Sequence, residues 1–217
     1  MPSLLTVYTV SSDPIKKVYT VSSAKDYGDP DTRQRILAAA QELIAEQGSS
    51  LSVKDIAARA DVSRQAVYLH FGDRAGLVIG VVQQMDEALN LGASIEKIMA
   101  CESGAALIEA VMKVHVDFSE AIDSVALILE AAQYGDQALG AAWRDRMQFR
   151  HGAHRAFAQR LADLGELSDQ WTAEEAGDLF YATTLVGPWR ELTRELGWSR
   201  DDYLRRMTSM LSRTLLG

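Results

Sequence analysis

The sequence lacks the features that mark exported, membrane-spanning or disulfide-stabilised proteins. Its 217 residues include one cysteine, Cys101, so no disulfide can form within the chain. No apolar run approaches the length needed to cross a bilayer. The first residues also lack the basic stretch and apolar core of a signal peptide. We therefore expect a cytoplasmic protein that does not enter a membrane.

Signatures of catalysis and of metal binding are missing as well. No Ser-His-Asp order, glycine-rich phosphate loop or zinc motif is present. His151 and His154 stand three residues apart in "HGAH", but no third ligand follows at a fitting spacing, so two exposed or capping histidines are the favoured interpretation. Cys101 is interpreted as an inert thiol, because an oxidant sensor needs a basic neighbour and the next residue is Glu102. We expect no enzyme activity, cofactor or metal.

A general excess of basic residues is also absent, since the formal net charge is −8. Residues 79–217 hold 13 basic and 21 acidic residues, which accounts for all of that charge. Residues 1–30 hold three of each sign, and residues 31–78 hold six of each. Phosphate repels a large acidic part but not a neutral part with a basic face. Any contact with nucleic acid is therefore expected within residues 31–78, and the acidity of the rest equally favours solubility.

What the sequence does contain, from residue 31 onward, is helical periodicity. Apolar side chains recur at three- and four-residue spacing, which predicts an all-α fold. Asp31 is expected to cap the first helix and Gly48 to end it. Pro188 is expected to kink a long helix. Beyond residue 92, helices are predicted near 104–121, 124–139, 140–165, 171–196 and 199–216.

The first thirty residues have a different character. The hexapeptide "VYTVSS" occurs at residues 7–12 and again, unchanged, at 18–23. Each copy is short and β-branched, and no strand-rich domain follows for it to pair with. We expect residues 1–30 to form a flexible arm, with a small hairpin as the alternative.

Between residues 52 and 71 the pattern predicts two short helices joined by a tight turn. Ser52 with Asp55 resembles a capping box for the first helix, and Ser63 can cap the second. Asp61 falls in the turn, where aspartate tolerates unusual backbone angles. This arrangement is a helix-turn-helix, whose second helix can lie in the major groove of DNA. The apolar anchors of the unit are Ile56, Ala57, Val62, Val67 and Phe71.

The second helix, "VSRQAVYLHF", offers side chains suited to reading duplex DNA. Arg64 matches the two acceptors of guanine, and Gln65 can serve adenine. Ala66 and Leu69 can touch a thymine methyl group. The remaining candidate DNA contacts are small or phosphate-binding side chains: Ser52, Lys54, Ser63, Tyr68, His70 and Arg74. The competing interpretation, a helical hairpin packed in the core, would bury Arg64, Gln65 and His70 at a high energetic cost.

Residues 31–78 resemble the DNA-binding domain of the TetR family of bacterial transcriptional regulators. The resemblance is carried by "ILAAAQELIAEQG", "SVKDIAARADVS" and "AVYLHFGDRAGL", in that order and spacing. Two positions depart from the usual family pattern: Asp61 replaces a glycine and Arg74 replaces a lysine. Both departures are compatible with the fold, but they can change the details of phosphate contact.

The resemblance implies a fold class and a domain order. It implies an all-α protein with an N-terminal three-helix helix-turn-helix DNA-binding domain, followed by a helical ligand-binding and dimerisation domain. We place the DNA-binding domain at residues 31–91, with its motif at about 54–73, and the second domain at 92–217. The family also implies a homodimer through helices at about 171–196 and 199–216. Two subunits would then read two related half-sites of an operator in double-stranded DNA.

By the same analogy, the middle helices enclose a pocket for a small, mostly apolar effector. The candidate wall residues are Met112, His115, Phe118, Leu127, Met147, Phe149, His151, Tyr181 and Trp189. Methionines and aromatics at helical spacing are more often part of the core, so each of these positions has that alternative. The expected function is a repressor released by its ligand. The alternatives are an activator, a corepressor-dependent regulator, or a helical ligand-binding or interaction protein that does not bind DNA.

Overall fold

The structure is a computed structural model, and it describes residues 29–47 and 52–217. The "VYTVSS" repeats and Gly48 lie outside these residues, as does all but the last two residues of the expected arm. Within the described residues the fold is all-α, as predicted, and no helix there is long and apolar enough to span a membrane. The helices are α1 (Pro30–Gln47), α2 (Val53–Arg59), α3 (Arg64–Phe71), α4 (Arg74–Ala88), α5 (Leu91–Met99), α6 (Gly104–Ala132), α7 (Gln137–Asp163), α8 (Ala173–Thr183), α9 (Val186–Arg190) with a π-helical turn (Glu191–Glu195), and α10 (Arg200–Leu215).

The start of α1 lies earlier than the sequence pattern suggested. The carboxylate of Asp29 accepts hydrogen bonds from the backbone amides of Asp31 and Thr32, both at 3.3 Å. Pro30 takes the first helical position, where the amide hydrogen that proline lacks is not needed. The prediction that Asp31 caps this helix is therefore wrong, because a proline at the first position moves the cap to Asp29.

Helix α4 packs closely against both α1 and α3. A side chain at Gly80 would bring its Cβ atom within 2.9 Å of Phe71 Cε1 and 3.2 Å of Leu37 Cδ2. Because position 80 carries only hydrogen, the backbone of α4 can contact the ring at the end of α3. Helices α1 to α4 thus enclose one apolar core, which also takes in Val125 and Ile128 of α6.

Helix α6 is longer than predicted. The pattern suggested helices near 104–121 and 124–139, whereas α6 runs unbroken over 29 residues from Gly104 to Ala132. No glycine or proline interrupts it, and the chain turns instead at Gly135 and Asp136. Asp136 then caps α7 by accepting the amides of Ala138 and Leu139, both at 3.0 Å. Before α6, the short helix α5 was not predicted as a separate element; Asn90, with φ 46°, separates it from α4.

The structure has no kink at Pro188. Instead, the helix predicted over residues 171–196 is interrupted by a two-residue break directly before α9. Helix α8 ends at Thr183, and α9 begins at Val186. Pro188 then lies in the first turn of a new helix, where its missing amide hydrogen leaves no carbonyl unpaired. In a continuous helix the Pro188 ring would clash with the carbonyl group four residues earlier. The chain avoids this clash because a new helix begins at Val186, which leaves Thr184 and Leu185 outside both helices.

Two buried histidines connect the helices of the larger part. His115 of α6 is hydrogen-bonded through Nε2 to the hydroxyl of Tyr203 on α10, at 2.9 Å. His154 of α7 donates from Nδ1 to the carbonyl of Arg150 at 2.7 Å, and its Nε2 pairs with the hydroxyl of Thr184 at 2.8 Å. Burial lowers the pKa of His154 to about 3, assisted by the charge of Arg150, and burial also holds the pKa of His115 well below its usual range. Both histidines are therefore neutral at pH 7.

These histidines predict a loss of stability in mild acid. The unfolded chain binds protons on both below about pH 6.5, whereas the folded chain does so only at much lower pH. The free energy of unfolding should thus be constant above about pH 7.5, begin to fall as the pH drops through 6.5, and continue to fall to about pH 4.5. The slope should reach up to about 1.4 kcal/mol per pH unit for each histidine. Urea unfolding at a series of pH values measures it. His154→Gln should reduce the slope in this window while running parallel to the parent above about pH 7.5; an undiminished slope would contradict the assignment.

Candidate functional site

The turn between α2 and α3 sets the angle at which α3 is presented. Asp61 takes a left-handed conformation with φ 53°, as expected from its place in the turn. The amide of Val62 then donates to the carbonyl of Ala57 at 2.9 Å. The predicted caps are also present: Ser52 Oγ accepts the Asp55 amide, and Ser63 Oγ accepts the Ala66 amide, each at 3.1 Å. Short-range hydrogen bonds therefore fix both helix starts and the turn.

Helix α3 is anchored by one face and exposed on the other. Val67 is 1% exposed and packs in the core of α1 to α4, whereas Tyr68 is 50% and Leu69 63% exposed. Arg64 and Gln65 are exposed at its N-terminal end, so the buried-hairpin alternative does not describe this segment. Of the other candidate DNA contacts, Lys54 and Ser63 are exposed, and Ser52, Ala66, His70 and Arg74 are half-buried.

A cavity of about 330 Å³ lies between α4, α6, α7, α8, the break before α9 and the first turn of α9. Its wall is mostly apolar, which is usual for a small-molecule site. Helix α4 contributes Val82 and Met85, so the helix that follows α3 also forms part of the cavity. The other lining residues are Phe118, Ile122, Val125, Ala126, Leu129, Glu130, Trp143, Arg146, Met147, Arg150, Tyr181, Leu185, Val186, Gly187 and Pro188.

Of the ligand-binding candidates, Phe118, Met147 and Tyr181 line this cavity. Met112 and Trp189 are buried in the core beside it, and Leu127 is 45% exposed. His115 is bonded to Tyr203, and His151 pairs with Asp178 through Nε2 at 2.6 Å. Phe149 is half-buried against the same core. The pattern therefore found α6, α7 and α8 as walls but not the contributions of α4 and of the break.

Two arginines of α7 stand at one end of the cavity, and the sequence pattern did not single them out. The guanidinium carbons of Arg146 and Arg150 lie 6.0 and 5.7 Å from the centre of the Phe118 ring. Arg146 donates from both Nη atoms to the carboxylate of Asp86 on α4, each bond measuring 2.6 Å. Arg150 donates to the carbonyl of Thr184. The signal available in the sequence was their i, i+4 spacing beside aromatic residues, which is more often a solvated face.

The "HGAH" histidines are not placed as a pair of ligands. His151 lies near the surface, whereas His154 is 6% exposed, so the expectation that both are exposed or cap a helix is wrong for His154. Its ring packs edge-on against Phe157 and Phe180. Within residues 29–47 and 52–217, no group of three or more His, Cys, Asp or Glu residues is arranged to hold a metal ion. The thiol of Cys101 donates to the Lys97 carbonyl.

Comparison with known proteins places these features in a family context. Residues 36–81 match the family model of bacterial regulatory proteins of the tetR family. An HTH-type transcriptional repressor of Mycobacterium tuberculosis is 34% identical over 89 residues, which cover 41% of this chain and 44% of that protein. The chain thus spans under half the length of this relative.

Solved structures share the fold over most of the chain. A transcriptional regulator from Saccharomonospora viridis, crystallised with choline, superposes with a TM-score of 0.74 at 15% identity, covering 87% of this chain and all of that one. FadR from Bacillus subtilis, crystallised with stearoyl-CoA, gives a TM-score of 0.68 at 16% identity, covering 83% of this chain and 98% of that one. At these identities the likeness concerns the fold.

The Arg146–Asp86 pair should contribute measurably to stability, because it is bidentate and its side chains are only 17% and 22% exposed. Asp86→Asn should lower the free energy of unfolding by about 1.5–3 kcal/mol, since it leaves the guanidinium without a charged partner. Urea unfolding at pH 7 measures the change. The control is Glu109→Gln, which removes an i, i+4 pair with Lys113 that is more than half exposed on both sides. That change should stay within about 0.5 kcal/mol; equal effects of the two substitutions would contradict the prediction.

Proposed function

We propose that this chain belongs to the TetR family of bacterial regulatory proteins and is a repressor that binds a palindromic operator as a homodimer and is released by a small, mostly apolar ligand. The observation that carries the proposal is the exposed N-terminal half of α3, which presents Arg64 and Gln65 while Val67 anchors the helix from behind. Although the chain as a whole is acidic, these exposed side chains are of the kind that contact base edges in the major groove of DNA.

We assign different roles to the side chains of this surface. Arg64 reads guanine through two hydrogen bonds, and Gln65 reads adenine. Leu69, exposed one turn further along, is suited to a thymine methyl group. Lys54 and Tyr68 are exposed donors for phosphate, which position the protein without reading sequence. Arg74 and Ser52 are half-buried, and the Ser52 hydroxyl already donates to the Asp55 carboxylate at 2.5 Å, so their phosphate contacts would require rearrangement.

Release follows, in this proposal, from the dual role of α4. Its first half packs with α3, and its second half lines the cavity and holds Arg146 through Asp86. A ligand that fits the cavity better when α4 is displaced would change the separation of the two recognition helices. The solved relatives were crystallised with ligands as different as choline and stearoyl-CoA, so the fold leaves the ligand class open.

We propose that the protein dimerises through residues 171–196, which contain α8, α9 and the π-helical turn, and through residues 199–216, which contain α10. Most of the apolar stripe of α10 is used within its own chain, because Tyr203, Met207 and Leu211 are buried there. Exposed apolar side chains remain nearby: Leu196 is 62% and Met210 41% exposed. Pairing of these surfaces about a two-fold axis would place two α3 helices one DNA turn apart, at about 34–36 Å.

The first test uses a site selected by the protein from a random duplex library. The selected sequence should contain two related half-sites. Arg64→Ala should reduce discrimination between this site and random duplex by about 1–3 kcal/mol. Lys54→Ala should weaken both affinities alike and reduce the salt dependence by about one counterion. Equilibrium gel shifts at several salt concentrations measure both effects.

The matched control is Arg144→Ala, which removes an exposed arginine from α7, a helix that carries none of the proposed DNA contacts and lies outside the proposed dimer surface, and which should leave both affinities unchanged. Retained operator preference in Arg64→Ala would refute the base-reading role. If the parent protein selects no sequence and binds no duplex, the alternative of a ligand-binding or interaction protein without DNA-binding activity replaces the proposal. Binding that strengthens when ligand is added would favour a corepressor-dependent regulator.

A second test addresses the dimer. Met210→Glu should weaken self-association at least tenfold, because it introduces a charge on a surface that would be dehydrated in the interface. Sedimentation equilibrium measures the dissociation constant. Tyr134→Glu is the control, since Tyr134 is 91% exposed but lies in the turn between α6 and α7. A monomeric parent protein, or equal weakening by both variants, would contradict the proposed interface.

A further inference from the structure

We propose that the effector of this protein is an amphipathic carboxylate whose apolar body fills the cavity and whose charged group pairs with the guanidinium of Arg150. This inference rests on the proposed function, because it specifies the chemical class of the ligand that the regulator needs. It is carried by the contacts of Arg150 and by the distribution of charge along the cavity wall.

Arg150 is a cation of the cavity wall without a carboxylate partner among the described residues. Arg146, the neighbouring cation, is already bonded to Asp86 through both Nη atoms. The contacts of Arg150 are a hydrogen bond from Nη2 to the Thr184 carbonyl and the face of the Phe118 ring, which itself lines the cavity. Its Nε atom is buried and has no hydrogen-bond partner within residues 29–47 and 52–217. The guanidinium is thus held against the wall by neutral groups.

An uncompensated cation in this position is energetically unfavourable. Arg150 is half-buried as a residue, and its Nε atom is buried. A charge withdrawn from water requires a partner of opposite sign or a full set of hydrogen bonds, and among the described residues Arg150 has neither. Burial, and to a lesser extent the nearby Arg146, lower the pKa of Arg150 to about 10. The side chain therefore remains charged at neutral pH, and a bound anion would offset both burial and the repulsion between the two arginines. Perturbed groups of this kind, in a cavity, are typical of functional sites.

The cavity is polar at one end, which suits an amphipathic ligand. Both arginines lie at Phe118, whereas Glu130 lies twelve residues further along α6, about 18 Å away along the helix axis. Glu130 is 3.6 Å from Arg190 and needs no ligand cation. Between the two ends the α6 wall is apolar, formed by Ile122, Val125, Ala126 and Leu129. A ligand would place its carboxylate at the arginine end and its apolar body along this wall.

Tyr181 supplies a second donor for the same carboxylate. It lines the cavity, and Arg150 is close enough to act on its hydroxyl electrostatically. Burial nevertheless raises the pKa of Tyr181 above its usual value, so the hydroxyl remains protonated and able to donate. A guanidinium and a phenol that line the same cavity can both donate to one anion, which favours a carboxylate over an alcohol or an amine.

The test compares three probes that share one apolar tail and differ in the charge of the head group: decanoate, decanol and decylamine. Titration calorimetry with the full chain at pH 7.5, in the absence of DNA, gives each dissociation constant. Decanoate should bind at least tenfold more tightly than decanol, and decylamine should bind most weakly. Quenching of Trp143, which lines the cavity, should accompany decanoate binding.

Three variants assign the preference to one residue. Arg150→Met keeps an unbranched side chain as long as the arginine stem up to Nε and removes the charge, so decanol should still bind while the advantage of decanoate falls to within about twofold. Arg150→Lys keeps the charge and should retain a preference for decanoate. Arg144→Met is the matched control, because Arg144 is an exposed arginine of the same helix, and it should behave like the parent protein.

The possible results separate this inference from the proposed function. If decanol or decylamine binds as tightly as decanoate, if none of the three binds, or if Arg150→Met keeps the full preference, the carboxylate inference is overturned. Operator binding in the gel shift is unaffected by that outcome and continues to support the regulator. Conversely, a parent protein that prefers decanoate but binds no duplex would support the inference about the cavity and refute the proposed function.

Discussion

Helix α4 belongs to two cores at once, and this sharing constrains the whole molecule. Leu77 and Val81 are fully buried in the core beneath α3, whereas Met85, on the same helix, lines the cavity. The next residue, Asp86, is bonded to Arg146 at the cationic end of that cavity. A rigid helix that ends in an ion pair cannot shift at one end without disturbing the other. The exposed surface of α3 and the cavity are therefore mechanically dependent on one another.

The charge of the cavity is opposite to that of the chain that surrounds it. The protein carries a formal net charge of −8, yet two arginines stand at the Phe118 end of the cavity. The surface field is screened within about 8–10 Å at physiological ionic strength, so it affects the approach of an anion more than its binding inside. Small hydrophilic anions gain little from such a site, because its apolar wall offers them no contact. The arrangement selects molecules that combine both properties.

Local features of the fold were predictable from the sequence, and features that depend on distant contacts were not. Ser52 and Ser63 are caps that act over three residues, so their roles could be inferred from spacing alone. The continuity of α6 depends on packing over its whole length. No residue near position 122, where the predicted helices were separated, indicates from sequence alone that the helix continues. Arg150 looked like a solvated helix position because its burial comes from α6 and from the break at Thr184, both remote in sequence.

Because Gly80 has no side chain, α4 can pack closely against Phe71 and Leu37 at this one position, and the helix could rotate about that contact. The backbone there touches the Phe71 ring and Leu37 near the middle of a 15-residue helix about 22 Å long. If a ligand displaced α4 at Met85, the contact at Gly80 would act as the axis of rotation, and the N-terminal end of α4 at Arg74 would move in the opposite direction together with the end of α3. A methyl group at position 80 would meet Phe71 Cε1 at 2.9 Å and Leu37 Cδ2 at 3.2 Å, so an alanine there would require these side chains to shift or α4 to move away from α1 and α3.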